Sequence, residues 1–477
     1  MTMTRTLVCA ALAALIAGCA AGPAYERPAA DLPAGWQGAP ANGAKAPGAR
    51  WWTLYGDPAL DRLVEEALAH NQDLALATAR VDEARAVLRI TDSERAPSVN
   101  ATFQGDRSRR SERTSTPFPG PLETTDYRAA LNVAYEVDLW GRLASATRAS
   151  RADLLATTAA RETVRITLAT EVVRGYFTLI ALDAQIEATN RALALRSDGL
   201  DLQRVRAKAG LSNDFALRQI EAEVAAARSQ LPALQANRTA QELALAVLAG
   251  RSPRDIMEGT VARPLVQGEP QAPVVPEGLP SDLLLRRPDI VEAEQRLIAQ
   301  HARIDEARAA LFPRIILTGF LGSESAALGS LFSGPATIWS LAFALAQPIF
   351  QGGRLFAEID AVKARERQAL AQYQKALQTS FGEVRQALST QLRAREVYDS
   401  ETERAAALSD ALRLARIRYQ NGLLSLLEVI DAERNLLQAE LNRSDALRAQ
   451  RAAVADLIKA LGGGWEGLPP DAVAEKR

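Results

Sequence analysis

The chain has two cysteines in 477 residues, Cys9 and Cys19, and both fall at or before position 19. Beyond them there is no thiol for a disulfide framework, a cysteine nucleophile or a thiolate metal site. Histidine is as scarce, with only His70 and His301, which leaves little for imidazole metal binding or general acid–base chemistry. No phosphate loop, zinc spacing or Ser/His/Asp triad is evident, so an enzyme is not expected. Aromatics make up 5% of the residues, low for a chain with a large globular core. Neither charge sign dominates: 56 Lys+Arg against 57 Asp+Glu leave a net charge of −1. That balance excludes a general nucleic-acid-binding field. With 48% hydrophobic and 24% charged residues the chain has the composition to fold,.

Long hydrophobic runs are missing too. Leu7 to Ile16 is an apolar run of ten residues behind Arg5, too short for a spanning helix of about 20 residues but suited to a signal peptide. It ends in Ile16-Ala17-Gly18-Cys19, which is similar to a bacterial lipobox. Small residues let the peptidase seat the backbone, and the Cys19 thiol carries the lipid. The alternative is an ordinary signal peptide holding a chance cysteine. By resemblance to bacterial lipoproteins, Ala20 favours passage to the outer membrane. Processing after Gly18 removes Arg5 and Cys9 and leaves a mature net charge of −2.

What is present is a duplication. Asp73 and Pro97 precede Asp289 and Pro313 by 216 residues. Downstream the offset is 212: Gly141-Arg142-Leu143 against Gly353-Arg354-Leu355, Gly210-Leu211 against Gly422-Leu423, Glu221 against Glu433, Gly250 against Gly462. A register kept over so long a stretch marks a tandem repeat. The expected organisation is a signal peptide at 1–18, a lipidated leader at 19–56 and a first repeat at 57–250. A Pro-rich linker at 251–287, a second repeat at 288–462 and a tail at 463–477 follow.

Each repeat alternates two patterns. Stretches 141–249 and 353–461 are rich in Ala, Leu, Arg and Glu, with apolar residues three and four apart, and read as long helical hairpins,. Gly210-Leu211 and Gly422-Leu423 interrupt them once each and read as turns. Pro232 is expected to kink its helix. Within 98–138 and 314–349 the periodicity drops to two. Tyr127, Ala129, Leu131, Val133 and Tyr135 share one face, and Arg128, Asn132 and Glu136 share the other. Trp339, Leu341, Phe343 and Leu345 alternate with small residues; Ile315 to Leu321 is a weaker case. These read as two β-hairpins whose strands have the length to cross an outer membrane. Four strands cannot close a barrel, and open edges are not tolerated in lipid. Two chains give eight strands with a side-chain-filled interior; three give twelve around open water, which suits the small, polar faces. The expected fold class is therefore a mixed α/β membrane protein. A trimeric transmembrane β-barrel, four strands per chain, continues into a long α-helical coiled-coil tunnel.

Several motifs carry a family resemblance. Arg50-Trp51-Trp52, Asp57-Pro58-x-Leu60-x-x-Leu63 and Asn71-x-Asp73-Leu74 resemble the opening segment of lipoprotein outer membrane factors. Arg286-Arg287-Pro288-Asp289-Ile290, with Ala293-Glu294, resembles the start of that family's second repeat. The chain resembles a TolC-like efflux channel of the NodT lipoprotein group from Cys19 to about Gly462. The resemblance implies a homotrimer in the bacterial outer membrane, lipid-anchored, with a long periplasmic extension. It implies a periplasmic adaptor and an inner-membrane efflux transporter as partners, contact with outer-membrane lipid, no nucleic acid, and no cofactor beyond the lipid on Cys19. Drugs or other small molecules are then the cargo. A lipoprotein scaffold and a type I secretion exit duct are the alternatives.

The resemblance also assigns sites. Gly210, Leu211, Gly422 and Leu423 become adaptor-contacting tips as well as turns. Glu428 and Asp431, three apart on one helix face, read either as a solvated coiled-coil face or as carboxylates lining the periplasmic gate. Converging copies would raise their pKa by mutual repulsion. Leu424 stands where some relatives carry a basic residue, so a hydrophobic constriction replaces an ionic latch in this reading. Trp51-Trp52 is read as packing and Arg287-Pro288-Asp289 as a helix start.

Overall fold

The computed structural model describes residues 25–29, 48–113, 119–211, 213–263 and 285–468. Two compact units emerge, one from Arg80–Thr158 and Glu292–Gln374 with residues 25–29, the other from residues 48–79, Ala159–Val291 and Lys375 onward. In chain order the elements are α1 (Pro58–His70), α2 (Gln72–Ser93), β1 (Ser98–Arg109), β2 (Glu123–Val137), α3 (Arg142–Lys208) and α4 (Asp214–Leu248). They continue with α5 (Pro253–Glu258), α6 (Pro288–Ala309), β3 (Arg314–Ser325), β4 (Thr337–Ala346), α7 (Arg354–Gln420) and α8 (Leu426–Ala460). Among the described residues no helix is long and apolar enough to cross a membrane.

The first unit holds one four-stranded antiparallel sheet in the order β1-β2-β3-β4, so β2 and β3 join the two repeats directly. Register decides what this sheet is. Ala101 faces Leu131, Leu131 faces Leu321 and Leu321 faces Trp339; one row on, Val99, Val133, Gly319 and Leu341 align. Because side chains alternate with period two, aligned rows give one continuous apolar face. That face is uncovered: Trp339 is 74% exposed, Leu341 80% and Phe343 76%. The opposite face carries Asn100, Thr102, Gln104, Asn132 and Ser340. Asn132 donates to Thr102 Oγ1 at 2.9 Å across β1 and β2. At the end of β2 the chain turns into α3, where Asp138 accepts from the backbone N–H groups of Leu143 and Ala144 at 3.1 and 2.8 Å. Trp140 stacks on Phe312 with centroids 4.8 Å apart and donates to the Pro313 carbonyl at 2.8 Å, tying the exit of the first repeat's hairpin to the entry of the second's.

The second unit packs long helices around small residues. Trp51, Trp52 and Tyr55 form a buried 3-10 turn ahead of α1, and the Tyr55 hydroxyl donates to the Arg451 carbonyl at 2.7 Å. Asp57 caps α1 through Ala59 N–H at 2.8 Å and accepts from the Tyr176 hydroxyl at 2.6 Å. Trp51 and Trp52 thus pack. Pro288 is the first residue of α6, and the buried Arg287 before it donates to Asp289, to Glu383 at 2.6 Å and to the Ala460 carbonyl at 2.7 Å. Pro232 lies inside α4, and the helix runs from Asp214 to Leu248 without dividing there. The expected kink does not break it.

Candidate functional site: the tips of the helical hairpins

Both hairpins turn by the same device. At the end of α3, Leu211 N–H reaches the Arg206 carbonyl at 2.8 Å and Gly210 N–H the Ala207 carbonyl at 3.0 Å. At the end of α7, Leu423 N–H reaches Arg418 at 2.9 Å and Gly422 N–H reaches Tyr419 at 3.0 Å. This nested pair of bonds needs a left-handed residue at its centre, and Gly210 and Gly422 supply it with φ of +73° and +74°. Leu211 and Leu423 then project into solvent, 78% and 71% exposed. Little among the described residues covers them.

The return helices start on caps at equivalent positions. Asn213 Oδ1 accepts from Ala216 N–H at 2.9 Å. In the second copy Ser425 and Glu428 form a capping box, and the Glu428 carboxylate accepts from Ser425 N–H at 2.9 Å and from its hydroxyl at 2.8 Å. These donors stabilise the ionised form, the backbone N–H most, and hold Glu428 below the usual carboxylate range,. The rise expected from carboxylate repulsion is therefore not what the chain itself imposes. Asp431, one turn on, is exposed and lies 3.7 Å from Arg434. Leu424, between turn and cap, is half-buried.

Contacts near the tips tie the first hairpin to the second and the second to itself. The Tyr419 hydroxyl on α7 accepts from Gln203 Nε2 at 2.6 Å and from Arg206 Nη1 at 2.8 Å, both on α3. Arg206 also lies 5.5 Å from the Tyr419 ring centroid, within cation–π range. Arg416 on α7 bonds Glu433 on α8 at 2.8 Å, and Glu433 is well covered. Leu200, Ile220, Val224 and Ile430 bury one another between α3, α4 and α8, flanked by Leu193, Leu217 and Leu426. Beside this core a cleft of about 450 Å³ opens between α3, α7 and α8, lined by Arg191, Arg413, Glu433 and Glu440 among others.

The structure thus brings Leu423, Leu424, Glu428 and Asp431 into one turn-and-cap segment, with Gly210 and Leu211 at the neighbouring tip. Cys19 lies outside the described residues. The Tyr419 bonds and the Arg416–Glu433 pair were not found from sequence, since both join residues far apart along the chain or across a hairpin. The capping box was visible: Ser425-x-x-Glu428 ahead of an apolar run is its signature.

Comparison with known proteins fits this architecture. The Outer membrane efflux protein family matches residues 63–251 and 279–463, once over each copy of the repeat. The chain is an outer membrane efflux protein. It is 33% identical over 461 residues to the cation efflux system protein CusC of Escherichia coli K12, covering 96% of this chain and 98% of that one. It is 36% identical over 473 residues to the probable efflux pump outer membrane protein TtgC of Pseudomonas putida, covering 97% and 96%. Among solved structures, the Campylobacter jejuni CmeC outer membrane channel superposes with a TM-score of 0.87 at 27% identity, covering 93% of this chain and 95% of that one. The outer-membrane channel OprN superposes with a TM-score of 0.85 at 30% identity, covering 94% and 100%. Membership gives the efflux protein its place: the outer-membrane channel component of a tripartite efflux system, its long helices extending into the periplasm.

Proposed function

We propose that three copies close a twelve-stranded barrel around water and that their hairpins form the tunnel beneath it. The single observation that carries this is the uncovered apolar face aligned across four strands. In one chain β1 and β4 each pair on one side only, and an unpaired edge in lipid leaves several kcal/mol of unsatisfied backbone per group. Closure by further copies removes both edges. The mass of the detergent-extracted particle tests this: three chains are expected, and an inserted monomer or dimer sinks it.

Cys19 then carries the lipid that holds the leader to the membrane. Labelling with a palmitate analogue should disappear in Cys19→Ser, while the trimer persists because barrel closure holds it. The exposed Leu211 and Leu423 at glycine-built turns support the tips as the seat of a periplasmic adaptor, which couples the channel to an inner-membrane transporter. Glu428, Asp431 and Leu424 line the periplasmic mouth in this reading. Relatives named for cations, toluene and antibiotics support small molecules as the cargo. Loss of export with an intact trimer, on replacing Gly210 or Gly422 by a bulky residue, is the expected signature of the tips.

A further inference from the structure

Phe320 is out of place. It stands on the polar face of the sheet, opposite Asn132 on β2 and Ser340 on β4, while the neighbouring large aromatics of the sheet, Phe103, Tyr127, Trp339 and Phe343, belong to the apolar face. With Ile316 and Gly319, it weakens the alternation of β3 in the sequence. The half-buried ring has a reason to be on this face if something there uses it.

Arg128 does. Its guanidinium carbon lies 4.3 Å from the Phe320 centroid, which is cation–π stacking distance. Yet its cross-strand partner is Glu324, four residues along β3 from Phe320, and the residue between the two on this face is Gly322. A Cβ at Gly322 would come within 2.1 Å of the Ala129 carbonyl oxygen, so the backbone approach of β2 and β3 restricts this position to glycine. The missing side chain leaves the gap across which Arg128 reaches the ring. Glu324 Oε2 stands 3.7 Å from Arg128 Nη1, beyond hydrogen-bond distance. The guanidinium therefore lies on Phe320 with a loose counter-charge at its side, opposite Gln104 of β1 on the same face, and its side chain stays 38% exposed, which leaves N–H donors for a further acceptor. The cluster sits five residues into β2, about 17 Å from the loop end at 3.3 Å per residue.

We propose that Arg128, laid on Phe320 and flanked by Glu324, is a charge-selecting solute contact of the channel lumen that takes planar aromatic anions. This rests on the reading that the polar face lines the water-filled interior of a closed trimer, where three such shelves form a ring. The exposed part of the guanidinium stacks an aromatic ring, and a carboxylate or sulfonate accepts from its N–H edge. Glu324 keeps the capture weak, as conduction requires, because a solute that binds tightly does not leave.

The test uses the full-length trimer in planar bilayers under a KCl gradient, with 2-naphthalenesulfonate added from the loop side. The probe is expected to reduce the parent's current. Arg128→Gln should abolish that block and raise the K⁺-to-Cl⁻ permeability ratio about two-fold or more, and Glu324→Gln should lower the ratio. The Arg128→Gln/Glu324→Gln double variant should return to the parent's ratio and stay unblocked. Phe320→Leu should keep the ratio and weaken the block several-fold. A second measurement separates the shelf from the barrel beneath it: a membrane-impermeant maleimide should label Ser340→Cys and spare Leu341→Cys. If that pattern appears but Arg128→Gln leaves ratio and block unchanged, the shelf is wrong and the barrel stands. If Ser340→Cys is spared and Leu341→Cys is labelled, the barrel reading and the shelf fail together.

Discussion

The two hairpin tips are copies of one ancestral segment, and they differ in what they kept. Turn geometry is the same to within a degree in φ, and the cap falls at the same offset, Asn213 against Ser425. The side chains around it have diverged. Arg204 and Glu221 bond within their own helices, to Asp201 at 3.1 Å and to Arg218 at 2.8 Å. Their counterparts Arg416 and Glu433 bond each other across α7 and α8 at 2.8 Å. Where the first tip has Ala207 and Ala216, the second has Tyr419, which receives two bonds from α3, and Glu428, which closes a capping box. Backbone constraint survived duplication because a left-handed turn admits few residues. Side-chain pairing was free to change: α3 and α4 are tied by the covered pair Arg196 and Glu223, 3.4 Å apart and set back from their turn, whereas the Arg416–Glu433 pair and the Tyr419 bonds gather nearer the tip of the second hairpin. Movement at the mouth should accordingly be limited by the second hairpin.

The largest test of that asymmetry is the cross-helix pair. Arg416→Ala strips a partly covered carboxylate of its partner and should loosen the α7–α8 tip by about 2 kcal/mol. Arg204→Ala removes an exposed bond within one helix and should cost about 0.5 kcal/mol or less. Hydrogen exchange of the tip amides reads both. Equal losses would mean that the two hairpins are mechanically alike.

Tyr419→Phe comes next. It removes the acceptor for Gln203 and Arg206, about 1 kcal/mol for each bond, and leaves the ring in place for Arg206. With that tie gone, conductance through the tunnel in planar bilayers should rise. A conductance equal to the parent's would show that the tie is structural and does not limit the mouth.

Glycine replacement should treat the tips alike. Beyond its chain neighbours, no described atom lies within 4 Å of a Cβ built at Gly210 or Gly422, so alanine meets the cost of the left-handed conformation, about 1–2 kcal/mol at either site. Unequal losses would mean that one turn is held by contacts the single chain lacks, as an adaptor or a neighbouring copy would supply.

How much of this was legible in the sequence follows from which interactions are local. The period-two strands and the turns at Gly210 and Gly422 announce themselves because each depends on residues within one turn or one pleat. Register across the sheet did not, yet it makes Leu131, Leu321 and Trp339 one face. The Tyr419 bonds span 213 and 216 residues and leave no local pattern. Phe320 falls within the weaker alternation of Ile315 to Leu321, and the contact with Arg128 gives it meaning. Glu428 shows the converse: the family resemblance implies a gate, while its local pattern with Ser425 marks it as a cap, and the two roles are compatible,.

Glu428→Gln separates those two roles and should have the smallest structural effect. Glutamine can still accept from Ser425, as capping boxes allow, so exchange protection in the first turn of α8 should stay near the parent's at neutral pH. The carboxylate form is distinguished by pH. Its folded pKa is lowered from 4.5 by the Ser425 donors, so the ionised cap contributes above 4.5 and is lost as pH falls through the lower folded value. The parent's first turn should therefore fray in acid, and the Gln variant's should not change with pH. Charge at the mouth is read independently, by divalent-cation block in planar bilayers. Block that weakens in Glu428→Gln, and vanishes when Asp431→Asn is added, means that the carboxylates face the conduit. Undiminished block with the pH response abolished means that Glu428 is a helix cap alone and that Asp431 serves only its neighbour Arg434.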